Sequence, residues 1–254
     1  MKDIALILAA AGEGSRFSGT AAPGEGSRPK QCLDLLGMPI YLWSVVAFGI
    51  NPQINRLVVV TRGDLLAQFD ATIQNFAFQN GLTDIYDRVR LVEGGATRQE
   101  SVYLGLKSLE SEPPDYVLVH DAARPYICQD LINRVIASAI EYGAALPAAP
   151  VTDTIKEVED GFIKNTLDRS RLYRAQTPQA AAYAMLLRGH QEARSRKLEV
   201  TDDAAIIELL NEPVRLVEAG VSNIKITVAE DLLNSRVLAE ETLGQINALI
   251  ASKK

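Results

Sequence analysis

Cysteine and histidine are scarce, at two each in 254 residues. Cys32 and Cys128 form no C-x-x-C, and His120 and His190 join them in no cluster. A structural zinc site and a disulfide framework are therefore poor descriptions of this chain. The two thiols read as small buried hydrophobes in a reducing compartment. A basic excess is also missing: 26 Lys+Arg stand against 32 Asp+Glu, for a net charge of −6. That balance argues against a nucleic-acid polymer as partner. It leaves room for a small anionic ligand, which needs only a local cluster of cations. No apolar run approaches the ~18 residues of a membrane-spanning helix, so no membrane partner is expected. The apolar start, residues 4–11, is short and follows Asp3. It reads as a buried strand rather than a signal peptide, and the expected location is cytoplasmic.

What is present is globular: 47% hydrophobic and 23% charged residues, enough for one α/β domain over 1–254 with a full core. Apolar runs at residues 4–10, 57–61, 89–93, 116–120 and 144–149 read as strands of a mostly parallel sheet. Helical patterns at 39–50, 64–78, 97–109 and 129–142 lie between them, with Pro39 suited to a first helical position. Such alternation predicts helices on both faces of the sheet. Residues 151–170 carry alternation, charge and the turn pair Asp160-Gly161. They predict a protruding β-arm, marginal alone and suited to packing on a second subunit. Beyond it the expected order is a strand over 172–177, helices over 180–196 and 202–210, short strands over 214–218 and 224–227, and a closing helix from Ala229.

The first strand runs into Ala10-Ala11-Gly12-Glu13-Gly14-Ser15-Arg16. Glycines here let the backbone approach a phosphate, and consecutive N–H groups can face an anion. Arg16 and Lys30 supply full positive charges. Phe17 stands where a dinucleotide fingerprint needs its third glycine, and no Gly-Lys-Ser/Thr makes a Walker loop. On its own the loop is also compatible, as the lesser alternative, with a glycine-rich turn that holds nothing.

Other segments follow in order: Pro29-Lys30-Gln31, Gly94-Gly95-Ala96-Thr97-Arg98, Ser101-Val102, Val119-His120-Asp121-Ala122-Ala123-Arg124-Pro125, Thr177-Pro178-Gln179, Thr201-Asp202-Asp203 and Asn223-Ile224-Lys225-Ile226-Thr227. Together they resemble the 2-C-methyl-D-erythritol 4-phosphate cytidylyltransferase family over nearly the whole chain. The resemblance implies a Rossmann-like nucleotidyltransferase (GT-A-like) α/β fold, a homodimer joined by the β-arms, and a Mg²⁺-dependent transfer from CTP to a polyol phosphate. It implies that Arg16, Lys30 and Lys225 hold the phosphates, with Arg169 also a catalytic position. Ala10, Ala11, Gly12, Gly14, Gly94, Gly95, Ser101 and Ala122 would line the nucleotide. Arg124, Thr154, Arg169 and Thr177 would serve the polyol phosphate, with Thr154 and Arg169 reaching the partner subunit's site. Asp121 would be the metal-linked aspartate, at a strand end where open α/β sheets bind ligands.

Two features depart from that pattern. The loop between Arg16 and Lys30 is long, which predicts that residues 18–28 order only when CTP arrives. Ala96 stands where an acidic residue is common. Several residues also have plain structural readings. Asp121 could cap a helix or pair with Arg124. Thr97 and Glu100 could form a capping box that opens a helix at Arg98. Asp202 and Asp203 suit a helix start, and His120 reads as half-buried and without chemistry. Ending at Lys254, the chain is expected to carry no fused cyclase domain. Competing functions are a ribitol-5-phosphate cytidylyltransferase, an inactive CTP-binding regulatory protein, and a glycosyltransferase. The last would want an Asp-x-Asp motif at a strand end, which is missing.

Overall fold

The computed structural model describes residues 2–12 and 29–251. In chain order the elements are β1 (Ile4–Ala9), β2 (Asp34–Leu35), β3 (Met38–Pro39), α1 (Ile40–Gly49), β4 (Arg56–Thr61), α2 (Leu66–Asn80), α3 (Thr83–Tyr86), β5 (Val89–Glu93), α4 (Arg98–Lys107), β6 (Tyr116–Asp121) and α5 (Gln129–Tyr142). Then follow β7 (Ala144–Pro150), β8 (Lys156–Glu159), β9 (Phe162–Thr166), β10 (Tyr173–Ala175), β11 (Gln179–Ala182), α6 (Tyr183–Ser195), α7 (Asp203–Glu208), β12 (Arg215–Glu218), α8 (Ala229–Asn234) and α9 (Arg236–Ala251).

Eight strands form one mixed, mostly parallel sheet in the order β10-β7-β11-β6-β1-β4-β5, with β12 also paired to β7. β1, β4, β5 and β6 run parallel, so their carboxyl ends share one edge. β10 and β11 are antiparallel to their neighbours. β1 shows why a continuous apolar run is needed at the centre. Ile4, Leu6 and Leu8 enter one core, while Ala5 and Ile7 enter the other. β4 does the same, with Leu57 and Val59 on one face and Val58 and Val60 on the opposite one. Helices α1, α2, α5 and α9 cover the first face; α4, α6 and α7 cover the second. Every residue of α1 is buried, which explains why its sequence is apolar all round rather than striped. α2 ends at Gly81, whose φ of +70° is the left-handed cap that favours glycine.

The arm is present as the β8–β9 hairpin, turned by Asp160-Gly161 and fully exposed along both strands. Among the described residues no helix is long and apolar enough to cross a membrane.

Several expectations are corrected. Residues 180–196 are not one helix: Gln179–Ala182 form β11, wedged between β6 and β7, before α6 begins. Ala180 and Ala181 are buried in that slot at 2% and 1% exposure. Residues 224–227 form no strand; their tie to the sheet edge is the Ile226 N–H bond to the Ala123 carbonyl, 2.8 Å. The closing segment is two helices, not one. Pro39 caps α1 instead of occupying its first turn. Cys128 is exposed and Cys32 only partly buried.

Candidate active site

A cavity of about 500 Å³ opens across the carboxyl ends of β1, β4, β5 and β6. The backbone past β1 is held there by Ala10 N–H to the Val60 carbonyl (2.8 Å) and Ala122 N–H to the Ala9 carbonyl (3.1 Å). Buried Gln31 donates from Nε2 to the carbonyls of Ala10 (2.7 Å) and Gly12 (3.0 Å). Its amide therefore fixes the path by which the first loop leaves the strand. On the β5 side, a Cβ at Gly94 would collide with Ala11 Cβ and lie 2.9 Å from Ser101 Oγ. Glycine is required for that close approach. Ser101 Oγ accepts from Gly95 N–H (3.1 Å) and donates to the Thr97 carbonyl (2.8 Å), so it shapes the turn that leads into α4.

Four cations line the cavity among the described residues: Lys30, Arg62, Arg98 and Lys225. Asp121 is the one carboxylate there among those residues. Its Oδ1 accepts from Arg98 Nε at 2.9 Å and its Oδ2 from Lys225 Nζ at 2.6 Å. Burial alone would raise the Asp121 pKa, but Arg98 and then Lys225 outweigh it and hold the carboxyl well below the usual range. Arg98 also reaches the buried Asp203, from Nη2 to Oδ2 at 2.7 Å. Burial opposes its charge; Asp203 and Asp121 more than compensate and raise its pKa above the ordinary guanidinium value. Lys30 Nζ donates to the Ile226 carbonyl at 3.1 Å, which ties the loop before β2 to the segment that delivers Lys225.

Behind Asp121 the polar groups form a closed chain. The Asp121 N–H donates to Thr177 Oγ1 (3.2 Å), which meets His120 Nδ1 at 3.0 Å. His120 Nε2 meets the Arg124 carbonyl at 3.0 Å. A carbonyl can only accept, so Nε2 carries the proton and Thr177 donates to Nδ1. Full burial lowers the His120 pKa to about 4, in keeping with that neutral ring. His120 is thus wholly buried rather than half-buried, and it sets the end of β6.

The structure brings Ala10, Ala11, Gly12, Lys30, Gly95, Ser101, Asp121, Ala122 and Lys225 to this cavity. Gly94 packs directly behind its wall. Arg124 and Thr177 do not line it: Arg124 Nη1 donates to the Asn223 carbonyl at 2.8 Å, and Thr177 is buried. Thr154 and Arg169 lie exposed on and beside the arm, with Arg169 Nη1 on the Thr152 carbonyl at 2.5 Å. Gly14, Arg16 and the loop 18–28 lie outside the described residues. Pattern reading missed two of the lining cations, Arg62 and, more centrally placed on Asp121, Arg98. Arg98 does open α4, with Thr97 as N-cap, but Glu100 reaches back to Ala96 N–H (3.0 Å) rather than closing a box on Thr97. Asp121 pairs with Arg98 and Lys225, not with Arg124.

Among the described residues no group of three His, Cys, Asp or Glu side chains could cage a metal. Asp121 is the one carboxylate lining the cleft, among the described residues, that could meet a cation arriving on phosphate oxygens.

A polar cleft lined by cations across the carboxyl edge of parallel strands is the frame of a nucleotide-binding α/β protein. Residues 4–241 match the profile of IspD: 2-C-methyl-D-erythritol 4-phosphate cytidylyltransferase. The chain belongs to that family. It is 34% identical over 239 residues to the 2-C-methyl-D-erythritol 4-phosphate cytidylyltransferase of Geobacillus thermodenitrificans, covering 94% of this chain and 98% of the relative. It is 39% identical over 238 residues to the bifunctional enzyme IspD/IspF of Paramagnetospirillum magneticum, covering 94% of this chain. The chain spans 57% of the length of that bifunctional relative. The crystal structure of the Thermus thermophilus 2-C-methyl-D-erythritol 4-phosphate cytidylyltransferase superposes with a TM-score of 0.72 at 31% identity, covering 94% of this chain and all of that one.

Proposed function

We propose that the chain transfers a cytidylyl group from CTP to 2-C-methyl-D-erythritol 4-phosphate and releases pyrophosphate. The observation that carries this reading is the Arg98–Asp121–Lys225 cluster, set beside Lys30 in the cleft of a member of this family. An oxygen of the acceptor phosphate attacks the α-phosphorus of CTP in line with the departing pyrophosphate. The P–O bond to the β-phosphate breaks as the new P–O bond forms. A phosphate dianion is already nucleophilic, so the transfer needs no general base. Asp121 is suited to none: its carboxyl is held ionised by two cations and its pKa lies far below neutrality. Lys30 and Lys225, with Arg16, neutralise the crowded α-phosphate and the leaving pyrophosphate, and most of the acceleration comes from positioning and charge. Magnesium bound with the triphosphate, with Asp121 as ligand, would spread the charge over the phosphate oxygens.

The walls formed by Ala10, Ala11, Gly94, Gly95 and Ser101 take the base and ribose, because small residues let the backbone make the polar contacts. The arm serves a second copy of the chain. Thr154 and Arg169 are exposed and lie away from the cavity, which supports a role in the partner's site. The test is transfer from CTP to acceptor labelled with ¹⁸O in its phosphate. Label in the oxygen bridging the two phosphorus atoms of the product is the expected result. Label in pyrophosphate would refute attack by the acceptor.

A further inference from the structure

Arg98 stands against local preference. It is the first residue of α4, where the helix dipole disfavours a cation. What holds it there is a carboxylate on each side, Asp121 at the end of β6 and Asp203 at the start of α7. Only the first of these carboxylates lines the cavity. Asp203 is 2% exposed, and among the described residues its one hydrogen-bonded cation is Arg98. On its other side lies His190, whose Nε2 is 3.6 Å from Oδ1, beyond hydrogen-bond reach. Both ring nitrogens of His190 are buried without a hydrogen-bond partner among the described residues. A buried ion pair of this kind is weak support for stability, since apolar residues would serve as well.

The two carboxylates are set at a fixed separation by the framework. Gln179, in β11 and paired across to Val119 of β6, accepts from Ala204 N–H (2.8 Å) and donates to Asp202 Oδ2 (2.9 Å). Asp202 in turn caps α7 by accepting from Ala205 N–H at 3.0 Å. The start of α7 is thereby pinned to the strand beside β6. Arg98 is strung between two anchors that these hydrogen bonds tie to neighbouring strands of one sheet. Lys225 has no such second anchor: among the described residues Asp121 Oδ2 is its one hydrogen-bonded partner.

We infer that Asp203 is a positioning residue for the cytidylyl transfer, holding Arg98 on Oδ1 of Asp121 so that Oδ2 is the side left to exchange partners. When the triphosphate enters the cleft, Lys225 can leave Oδ2 for a phosphate while Arg98 keeps the carboxylate in place. The inference rests on the activity proposed above and deepens it.

The experiment is a double-mutant cycle on kcat and on CTP affinity, using wild type, Asp203→Asn, Arg98→Met and the double variant. Removing the charge at Asp203 is expected to lower kcat by about tenfold to a hundredfold, as for other groups that orient a ligating carboxylate. The KM for the polyol phosphate should move little. In the Arg98→Met background the same substitution should change kcat by less than about twofold, because Asp203 has nothing left to act through. An Asp203→Asn protein with lowered melting temperature and unchanged kcat would overturn the inference. So would an equal loss in both backgrounds. If the asparagine variant does not fold, Asp203→Glu, which keeps the charge and displaces it, enters the same cycle with the same criteria. Wild-type inactivity with CTP and the polyol phosphate would refute the proposed activity instead. The positioning role is then decided by the cycle in CTP affinity, measured by calorimetry, with equal effects in both backgrounds counting against it.

Discussion

Replacing Arg98 with methionine removes the guanidinium from between two carboxylates and leaves them in very different positions. Asp121 keeps Lys225 at 2.6 Å. Asp203, with a side chain 3% exposed, keeps only His190 at 3.6 Å. Breaking a buried pair from one side costs about 3–5 kcal/mol, because the remaining charge is uncompensated. At roughly 2–4 °C per kcal/mol for a chain near this size, the melting midpoint should fall by about 6–20 °C. Adding Asp203→Asn should return a large part of that loss, since the orphaned charge is then gone. The pH dependence carries the sign. In the wild type, burial would raise the Asp203 pKa, but Arg98, with His190 beside it, outweighs burial and lowers it. Its contribution is therefore full above the unfolded carboxyl value and lost only as pH falls through the lower folded one. Without Arg98, only His190 still opposes burial, and the folded pKa rises above its wild-type value. The variant's deficit should then be full near pH 8 and shrink as pH falls through that raised value. Urea unfolding followed by circular dichroism, at one fixed protein concentration, measures both. A deficit below about 1 kcal/mol, or one that widens on acidification, would refute the reasoning.

Three further outcomes are expected. Lys30→Ala should lower kcat by roughly 10²–10³ while the circular dichroism spectrum is unchanged, and near-normal turnover by the folded variant would remove its assigned role. Gly94→Ala should drive Ala11 and Ser101 from the cavity wall, weaken CTP binding measured by calorimetry, and cost about 1–3 kcal/mol of stability by overpacking; unchanged CTP affinity would contradict the wall. If the arm joins two copies as proposed, Phe162→Glu, on an arm where Val158, Phe162 and Ile163 are all exposed, should lower the sedimentation coefficient from a dimer's to a monomer's, and a coefficient unchanged by the substitution would show that the arm is not an interface.

The central sheet was legible because a strand covered on both faces must be apolar at successive positions, as β1 and β4 are. β11 was not. Gln179–Ala182 is alanine-rich and runs straight into α6, so local preference favours helix, while the narrow slot between β6 and β7 decides otherwise. Residues 224–227 alternate like a strand, yet they make the edge of the cleft and deliver Lys225 to Asp121. Most of the candidate site was readable from Lys30, Asp121 and Lys225 in their motifs. Arg98 was not, because its meaning lies in Asp203, 105 positions away. From nearby residues alone it is one more helix start. The backbone just past β1 gained its definition the same way, from Gln31, whose side chain holds the carbonyls of Ala10 and Gly12.

The most direct measurement is pyrophosphate release by the wild-type chain with CTP, magnesium and each of two acceptors in parallel. Turnover with 2-C-methyl-D-erythritol 4-phosphate and none with ribitol 5-phosphate is the expected result. Turnover with ribitol 5-phosphate alone, or tight CTP binding with neither acceptor consumed, would contradict the proposed activity.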